Sequence, residues 1–211
     1  MNYSVLIAVI ICSYLLGSIP FGYILVRTFQ GVDVRSVGSG NIGATNVARS
    51  GGKKLAVATF LLDAFKGWLP VFVVLHRPEI ADAVALPLTT VGTIAAFSAL
   101  VGHMYTVWLR FKGGKGVATG LGVFLALAPA AALLALAIFT TLVLVTRYVS
   151  LASIVATAAF PAIICWLERD RFSPAALLLT TAAAFLVIFR HRQNIGRLWT
   201  GTESRVGARK A

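Results

Sequence analysis

Residues 117–146 read VATGLGVFLALAPAAALLALAIFTTLVLVT, a run of 30 residues without a charge and with one proline, Pro129. A membrane-spanning helix needs about 20 apolar residues, because each residue adds about 1.5 Å towards about 30 Å of hydrocarbon. The segment is therefore too long for one straight span and too short for two full ones. Two interpretations are open: one span, or a short helical hairpin that turns near Pro129.

The composition of the whole chain is typical of an integral membrane protein. Of its 211 residues, 58% are hydrophobic and 12% are charged, and the mean hydropathy is +0.87. A soluble domain of this size would not bury so much apolar surface. The net charge of +12 indicates anionic lipid head groups and an anionic substrate as partners. Nucleic acid is not expected as a partner, because no basic domain stands apart from the apolar segments.

Basic residues decide between the two interpretations of residues 117–146. Further spans are predicted at 4–26, 55–75, 86–109, 149–167 and 173–189. Lys and Arg near span ends collect on the cytoplasmic side. With a hairpin at 117–146, 15 of the 19 Lys and Arg residues share one side, whereas a single span puts the flanking basic segments on opposite faces. The sequence therefore predicts an all-α membrane protein with seven transmembrane helices, an external N-terminus and a cytoplasmic C-terminus, forming one polytopic domain over 1–211.

The first polar segment on the predicted cytoplasmic side is SVGSGNIGATNVAR, residues 36–49. Its guanidinium, on Arg49, can offer two parallel N–H bonds to two phosphate oxygens. Backbone N–H groups can line an anion-binding concavity where glycines adopt positive φ. The alternative is an ordinary flexible loop that is rich in glycine because it turns. The neutral donors are Ser39, Asn41, Thr45 and Asn46, and the glycines are Gly38, Gly40 and Gly43.

The second polar segment, KGGKG, places Lys112 and Lys115 just before a helix that is predicted to start near Val117. A helix N-terminus favours a phosphate there, because its N–H groups are exposed and carry partial positive charge. The alternative is that both lysines anchor the helix end to lipid head groups. His103, at the end of the third predicted span, is interpreted as a satisfied interfacial residue.

The third polar segment is RHRQNIGRLWTGTE, residues 190–203. His191 and Asn194 are three residues apart and share a face if the helix continues past Phe189. The imidazole can take a proton near neutral pH, and the amide can hold a carbonyl or phosphate oxygen. Glu203 is expected to pair with an arginine and fasten the tail.

Four further polar residues have a structural interpretation. Asp63 and Lys66 are three residues apart inside a predicted span, where charges are costly, so an ion pair is expected. Ser150 and Ser153 follow Arg147 at a predicted turn. At least one of the two serines is expected to cap the helix that begins there, and the other can join the site.

Three motifs in this order, GSGNIGATN…R, GH…FKGGKGVATG and FRHRQNIGRLWTGTE, resemble those of the bacterial PlsY-type acyl-phosphate:glycerol-3-phosphate acyltransferases. The resemblance extends over essentially the whole chain, including LLGSIPFGYIL in the first predicted span and DAFKGWLPV in the second. It implies a seven-span inner-membrane enzyme with its active site facing the cytoplasm. The reaction implied is transfer of an acyl group from acyl phosphate to the 1-hydroxyl of glycerol 3-phosphate, which gives lysophosphatidate and phosphate in phospholipid synthesis. No metal or other cofactor is implied, and the enzyme that makes acyl phosphate is a possible partner.

The resemblance also assigns roles to residues of this chain. Glu203 matches a structural glutamate, and the segment from Lys112 to Gly116 matches one that contributes to glycerol 3-phosphate binding. The candidate catalytic residues are Ser39, Arg49, His191 and Asn194. The candidate substrate-binding residues are Gly38, Gly40, Asn41, Thr45, Asn46, Lys112, Gly113, Gly114, Lys115, Gly116 and Ser150.

The mechanism expected is direct acyl transfer, in which the protein aligns the 1-hydroxyl with the acyl carbon and stabilises the oxyanion. Whether His191 or a phosphate oxygen of the donor takes the proton stays open, as does the choice between Lys112 and Lys115 as phosphate ligand. The three polar segments are expected to converge on one substrate. A transporter is the main alternative, but transporters place polar sites near the bilayer midplane between repeated halves, and no such repeat is evident here.

Overall fold

The computed structural model describes residues 2–50 and 52–207. All regular structure within these residues is helical, and short 3₁₀ turns lie at Val34–Ser36 and Val107–Leu109. Arg209 and Lys210, which the predicted basic tail includes, lie outside the described residues. The helices are α1 (Tyr3–Ser18), α2 (Phe21–Gln30), α3 (Ala44–Ser50), α4 (Gly52–Leu75), α5 (Pro78–Val84), α6 (Leu88–Met104), α7 (Val117–Leu127), α8 (Pro129–Thr146), α9 (Val149–Leu167), α10 (Pro174–Arg190) and α11 (Arg192–Trp199).

Most of the helices match the predicted spans. In the described part of the chain, five segments are long and apolar enough to cross a membrane: Tyr3–Gln30, Gly52–Leu75, Leu88–Leu109, Pro129–Thr146 and Val149–Leu167. A sixth is counted if α10 and α11, bent by 54°, form one span. The apolar helix α7 is shorter. The all-α membrane fold is therefore confirmed, whereas the count of seven spans and their orientation stay predictions.

The segment 117–146 does divide at its proline. Helix α7 ends at Leu127, Ala128 leaves the helical conformation with φ of −148° and ψ of 72°, and Pro129 is the first residue of α8. Proline suits a first helical position, because its ring fixes φ and the missing N–H has no intrahelical partner there. The same point separates two compact units, Met1–Leu127 and Ala128–Ala211. The hairpin and the single domain over 1–211 remain predictions.

In the first unit, glycines let α1 and α6 approach closely. A Cβ on Gly17 would collide with the backbone of Ala99, and one on Gly102 would collide with the carbonyl oxygen of Tyr14. Helices in lipid lack a strong hydrophobic force towards each other, so contact between small residues supplies much of their packing energy.

Helices α4 and α7 use the same device. A Cβ on Gly122 would collide with the carbonyl oxygen of Ala64, and one on Gly67 would come within 2.5 Å of the carbonyl oxygen of Thr119. Thus α4 packs on α7 much as α1 packs on α6, and both pairs lie in the first unit.

The first apolar segment is broken between Ser18 and Phe21, next to Pro20. The break leaves carbonyl groups that a continuous helix would bind. Thr106 Oγ1 donates to the carbonyl of Ser18 at 2.5 Å, and Lys66 Nζ donates to that of Ile19 at 2.6 Å. Side chains of neighbouring helices therefore satisfy the broken backbone, as broken helices in membranes require.

The predicted ion pair between Asp63 and Lys66 is confirmed. Lys66 Nζ lies 2.7 Å from Asp63 Oδ1, and the two side chains are 2% and 3% exposed. A buried lysine would be costly alone, because an unpaired charge is poorly tolerated at low dielectric. The charges of Asp63 and Lys66 therefore cancel, and no net charge lies beside the break in the first segment.

In the second unit, α9 packs against both α8 and α10. Beyond α11 the chain returns to the start of α9, where the N–H of Val206 donates to the carbonyl of Arg147 at 2.8 Å. The Arg205 guanidinium also lies 5.0 Å from the centre of the Tyr148 ring. The tail of the described chain is thus a folded part of this unit.

We predict that Gly122→Ala lowers the free energy of unfolding by about 1–3 kcal/mol, because the added methyl group pushes α7 away from α4. Gly120→Ala is the matched control on the same helix, since a Cβ there would meet only Leu100 Cδ2, at 3.8 Å. Thermal unfolding of the purified protein in detergent compares the two variants. Equal midpoints would contradict the close packing of α4 on α7.

Candidate functional site

An apolar cluster holds the first polar segment in place. Val34, Ile42 and Val47 are at most 2% exposed and pack with Val26 of α2. Leu109, three residues before Lys112, belongs to the same cluster. The segment is therefore a folded element, and it shares its core with the turn that leads into KGGKG.

Asn46 organises the turn of this segment from inside. Its Oδ1 accepts from the N–H of Ser39 at 2.8 Å, and its Nδ2 donates to the carbonyls of Val34 and Val37, each at 3.0 Å. The residue is only 2% exposed. Both N–H bonds of the amide are taken by the loop, which gives Asn46 a loop-holding role in place of the substrate-donor role expected from the sequence.

Two of the three glycines in the first polar segment have the positive φ that was expected. Gly38 and Gly40 have φ of +59° and +68°, whereas Gly43 is not in the positive-φ region. The N–H of Gly43 instead donates to Asn41 Oδ1 at 2.8 Å, which closes a local turn. The expectation for Gly43 was therefore wrong. A Cβ on Gly38 would also collide with Asn46 Oδ1, so this position combines positive φ with close contact.

Three polar side chains of the segment face outward. Ser39, Thr45 and Arg49 are exposed, and none of the three side chains has a hydrogen bond or ion pair to another residue in the described ranges 2–50 and 52–207. Arg35, in contrast, is paired with Asp33, with 2.6 Å between Nη2 and Oδ2. Hydroxyls and a guanidinium without an ion-pair partner in these ranges are donors of the kinds that bind oxyanions.

The KGGKG segment folds onto the end of α6. The N–H of Gly113 donates to the carbonyl of Met104 at 3.1 Å, and that of Gly114 donates to the carbonyl of His103 at 3.0 Å. A Cβ on Gly114 would collide with His103 Nε2. These two N–H groups therefore complete the C-terminal end of α6, and the glycines are needed for close packing there, which the sequence interpretation did not anticipate.

The remaining residues of KGGKG present two cations before α7. Gly116 has φ of +88°, and Val117 begins α7 at the predicted position. Lys112 is exposed and Lys115 is partly buried. The segment thus directs its backbone inward, to α6, while its lysines lie at or near the surface.

In the second unit, Glu203 connects three polar side chains. Its Oε1 accepts from Ser150 Oγ at 2.8 Å and from Asn194 Nδ2 at 2.7 Å, and its Oε2 accepts from Arg197 Nε at 2.6 Å. The carboxyl side chain is 7% exposed. Burial disfavours the ionised form, but the three donors and the Arg197 charge outweigh it and hold the pKa of Glu203 below its usual range.

The sequence pattern placed an arginine near Glu203, and the structure identifies it as Arg197. The contacts of Glu203 with Ser150 and Asn194 were not anticipated, since they join residues 53 and 9 positions away. We refer to Ser150, His191, Asn194, Arg197 and Glu203 as the tail cluster.

His191 lies at the bend between α10 and α11 and is 2% exposed. Helix α10 continues past Phe189 to Arg190, and His191 then lies at the bend before α11, which contains Asn194. His191 Nδ1 lies 2.7 Å from the carbonyl of Val187. A carbonyl only accepts, so Nδ1 carries the proton and neutral His191 has its lone pair on Nε2. The exposed His76 makes the same contact with Phe72, at 2.9 Å.

The capping role expected for Ser150 or Ser153 was wrong. The residue before α9 is Tyr148, and no side chain caps this helix. Ser150 lies inside the first turn and reaches Glu203, while Ser153 Oγ donates to the carbonyl of Val149, one turn back in the helix. A serine caps a helix only from the position before its first residue, and both serines lie beyond it.

Comparison with known proteins gives one consistent relationship. The family model for glycerol-3-phosphate acyltransferases matches residues 7–201. A glycerol-3-phosphate acyltransferase of Syntrophotalea carbinolica is 48% identical, over 94% of this chain and 96% of the relative. The crystal structure of PlsY, an integral membrane glycerol 3-phosphate acyltransferase, in its glycerol 3-phosphate form has a TM-score of 0.85 and 41% identity over 96% of both chains. The lysophosphatidic acid form of PlsY has a TM-score of 0.83 and 40% identity, over 96% of this chain and 95% of that one.

We predict that Glu203 stabilises the protein above the ordinary glutamate pKa of 4.5 and that this contribution is lost as the pH falls through its lowered folded-state pKa. Glu203→Gln should lower the free energy of unfolding by about 1–3 kcal/mol near pH 7, because Ser150, Asn194 and Arg197 lose a charged acceptor. Thermal midpoints of both proteins between pH 7 and pH 3 measure the difference. It should shrink steadily with acid, and a difference that is constant with pH would contradict the role of the carboxylate.

Proposed function

Since the chain belongs to the glycerol-3-phosphate acyltransferase family and is therefore an acyltransferase, we propose that it moves an acyl group from acyl phosphate to the 1-hydroxyl of glycerol 3-phosphate. The products are lysophosphatidate and inorganic phosphate, in the synthesis of phospholipids. The observation that carries the proposal is the exposed Arg49 of α3, which has no carboxylate partner among the described residues and lies in the same folded segment as the hydroxyls of Ser39 and Thr45.

Acyl phosphate suits the groups that this chain offers. It is a mixed anhydride, so its phosphate leaves readily and the protein need not form a covalent intermediate. Alignment of the 1-hydroxyl and stabilisation of the oxyanion then account for most of the rate. The bond formed joins the 1-oxygen to the acyl carbon, and the bond broken joins that carbon to the phosphate oxygen.

The first unit would hold the phosphates. Arg49 matches two oxygens with its guanidinium fork, and Ser39 adds a neutral donor. Lys112 or Lys115 would bind the phosphate of glycerol 3-phosphate as a point charge, next to the first turn of α7.

The tail cluster would serve the proton and the carbonyl oxygen. Neutral His191 carries its lone pair on Nε2, because Nδ1 donates to Val187. It would accept the proton of the 1-hydroxyl, unless a phosphate oxygen of the donor does so. Glu203 holds Asn194 and Ser150, so their positions are set before substrate arrives.

We propose the same orientation in the membrane that the basic residues predict. The chain has seven spans, with α7 and α8 as a short hairpin, an external N-terminus and a cytoplasmic C-terminus. The division at Ala128 and the 15 basic residues of the predicted inner side support this topology. The active site then faces the cytoplasm at the bacterial inner membrane, where an enzyme that makes acyl phosphate is a fitting partner.

The purified protein in detergent should release phosphate from palmitoyl phosphate only when glycerol 3-phosphate is present, with one lysophosphatidate formed per phosphate. Palmitoyl-CoA should not replace the donor. Phosphate release is measured by a colorimetric assay, and the lipid product by mass spectrometry. A transporter would be inert without a gradient. Equal rates with palmitoyl-CoA would refute the proposed donor but not the acyltransferase activity.

If His191 is the base, His191→Gln should lower kcat about 10²–10⁴-fold and leave the KM for glycerol 3-phosphate nearly unchanged. His76→Gln is the matched control, since His76 makes the same contact to a carbonyl one turn back but is exposed. Steady-state kinetics with both substrates separate the two parameters. A rise in KM without a fall in kcat would assign His191 to substrate positioning and the proton to the donor phosphate.

A further inference from the structure

The ion pair of α4 and the KGGKG segment are linked by one buried side chain, His103. We propose that Asp63 and His103 are positioning residues, which hold KGGKG at the level where its lysines bind the phosphate of glycerol 3-phosphate. The inference rests on the proposed function and adds to it two residues that act through KGGKG.

His103 lies at the end of α6 with 3% of its surface exposed. Its ring lies directly beneath Gly114, where a Cβ would collide with Nε2, and its own carbonyl accepts from the N–H of Gly114. Backbone and ring of one residue therefore both contact the middle of KGGKG. The imidazole fills the space that a side chain at Gly114 would need, so this glycine packs directly on His103.

Asp63 lies at the other edge of this imidazole. Its Oδ1 is 3.7 Å from His103 Nδ1, which is longer than a hydrogen bond but within ion-pair distance when the imidazole is protonated. The carboxylate also lies 2.7 Å from Lys66 Nζ, which is itself bound to the carbonyl of Ile19. His103, on α6, is thus connected through Asp63 and Lys66 to α4 and to the break between α1 and α2.

A purely structural role of these residues predicts a different effect when they are lost. An ion pair that serves only to neutralise Lys66 would not need a histidine beside it, and its loss would reduce the amount of folded protein without favouring either substrate. A positioning role concerns only the segment that rests on His103. It therefore changes binding of the substrate held by KGGKG and spares the acyl phosphate.

The test is steady-state kinetics of His103→Ala, His103→Gln and Asp63→Asn. Asp63→Asn keeps an oxygen that can accept from Lys66, whose bond to the carbonyl of Ile19 is left in place, and it removes the carboxylate charge beside His103. We expect the KM for glycerol 3-phosphate to rise about tenfold or more in His103→Ala, the size of loss seen when outer groups that orient a ligand are removed, and to rise also in Asp63→Asn. The KM for palmitoyl phosphate should change by less than about twofold, and His103→Gln should recover part of the loss.

Two controls and a second measurement complete the design. Thr59→Val on α4 and Thr93→Val on α6 remove buried hydroxyls that bond only one turn back in their own helices, and both KM values should stay unchanged. Hydrogen exchange should be faster at Gly113 and Gly114 in His103→Gln than in the unaltered protein. An unchanged KM for glycerol 3-phosphate, a parallel rise in both KM values, or unchanged exchange at these glycines would each overturn the proposal. Absence of acyl transfer in the unaltered protein would refute the proposed function instead.

Discussion

The hydrogen bond from Lys66 Nζ to the carbonyl of Ile19 is the interaction on which the first unit depends. Pro20 interrupts the first apolar segment. A carbonyl that loses its helical partner within the hydrocarbon region cannot accept a hydrogen bond from water. A lysine offers a strong donor on a long, flexible stem, so it reaches from α4 to the break. Thr106 does the same for the carbonyl of Ser18 from the turn after α6. The broken segment is thereby fastened to both neighbouring helices.

This solution requires others in turn. A lysine that is 2% exposed needs a counter-charge, and Asp63 supplies it from the same face, one turn earlier on α4. The helices must also approach closely enough for short contacts to form. Gly17 and Gly102 allow this for α1 and α6, because a side chain at either position would separate the two backbones. Charge pairing and glycine contacts are therefore two parts of one arrangement.

The sequence was informative where a local rule applies. The position of Pro129 located the division of residues 117–146, and the spacing of three between Asp63 and Lys66 predicted their pairing. The break next to Pro20 was not predicted, because residues 4–26 were expected to form one span. The sequence also did not indicate which polar side chains form their hydrogen bonds within the protein. Asn46 and Asn194 have the same side chain, yet one holds its own loop and the other reaches a carboxylate nine residues away. That difference depends on tertiary contacts, which residue type and spacing do not specify.

The tail cluster raises the question of why a carboxylate lies beside residues that we propose act on anionic substrates. Glu203 accepts from Ser150, Asn194 and Arg197, so each of its oxygens has a donor and its charge is matched by a guanidinium. A carboxylate in that state repels an approaching phosphate little, because Arg197 offsets its field at short range. It also accepts more bonds than a neutral side chain could, and it fixes two hydrogen-bonding side chains in the absence of substrate. Preorganisation of this kind reduces the reorganisation that would otherwise be needed during the reaction, so a buried, fully bonded Glu203 is compatible with anion chemistry.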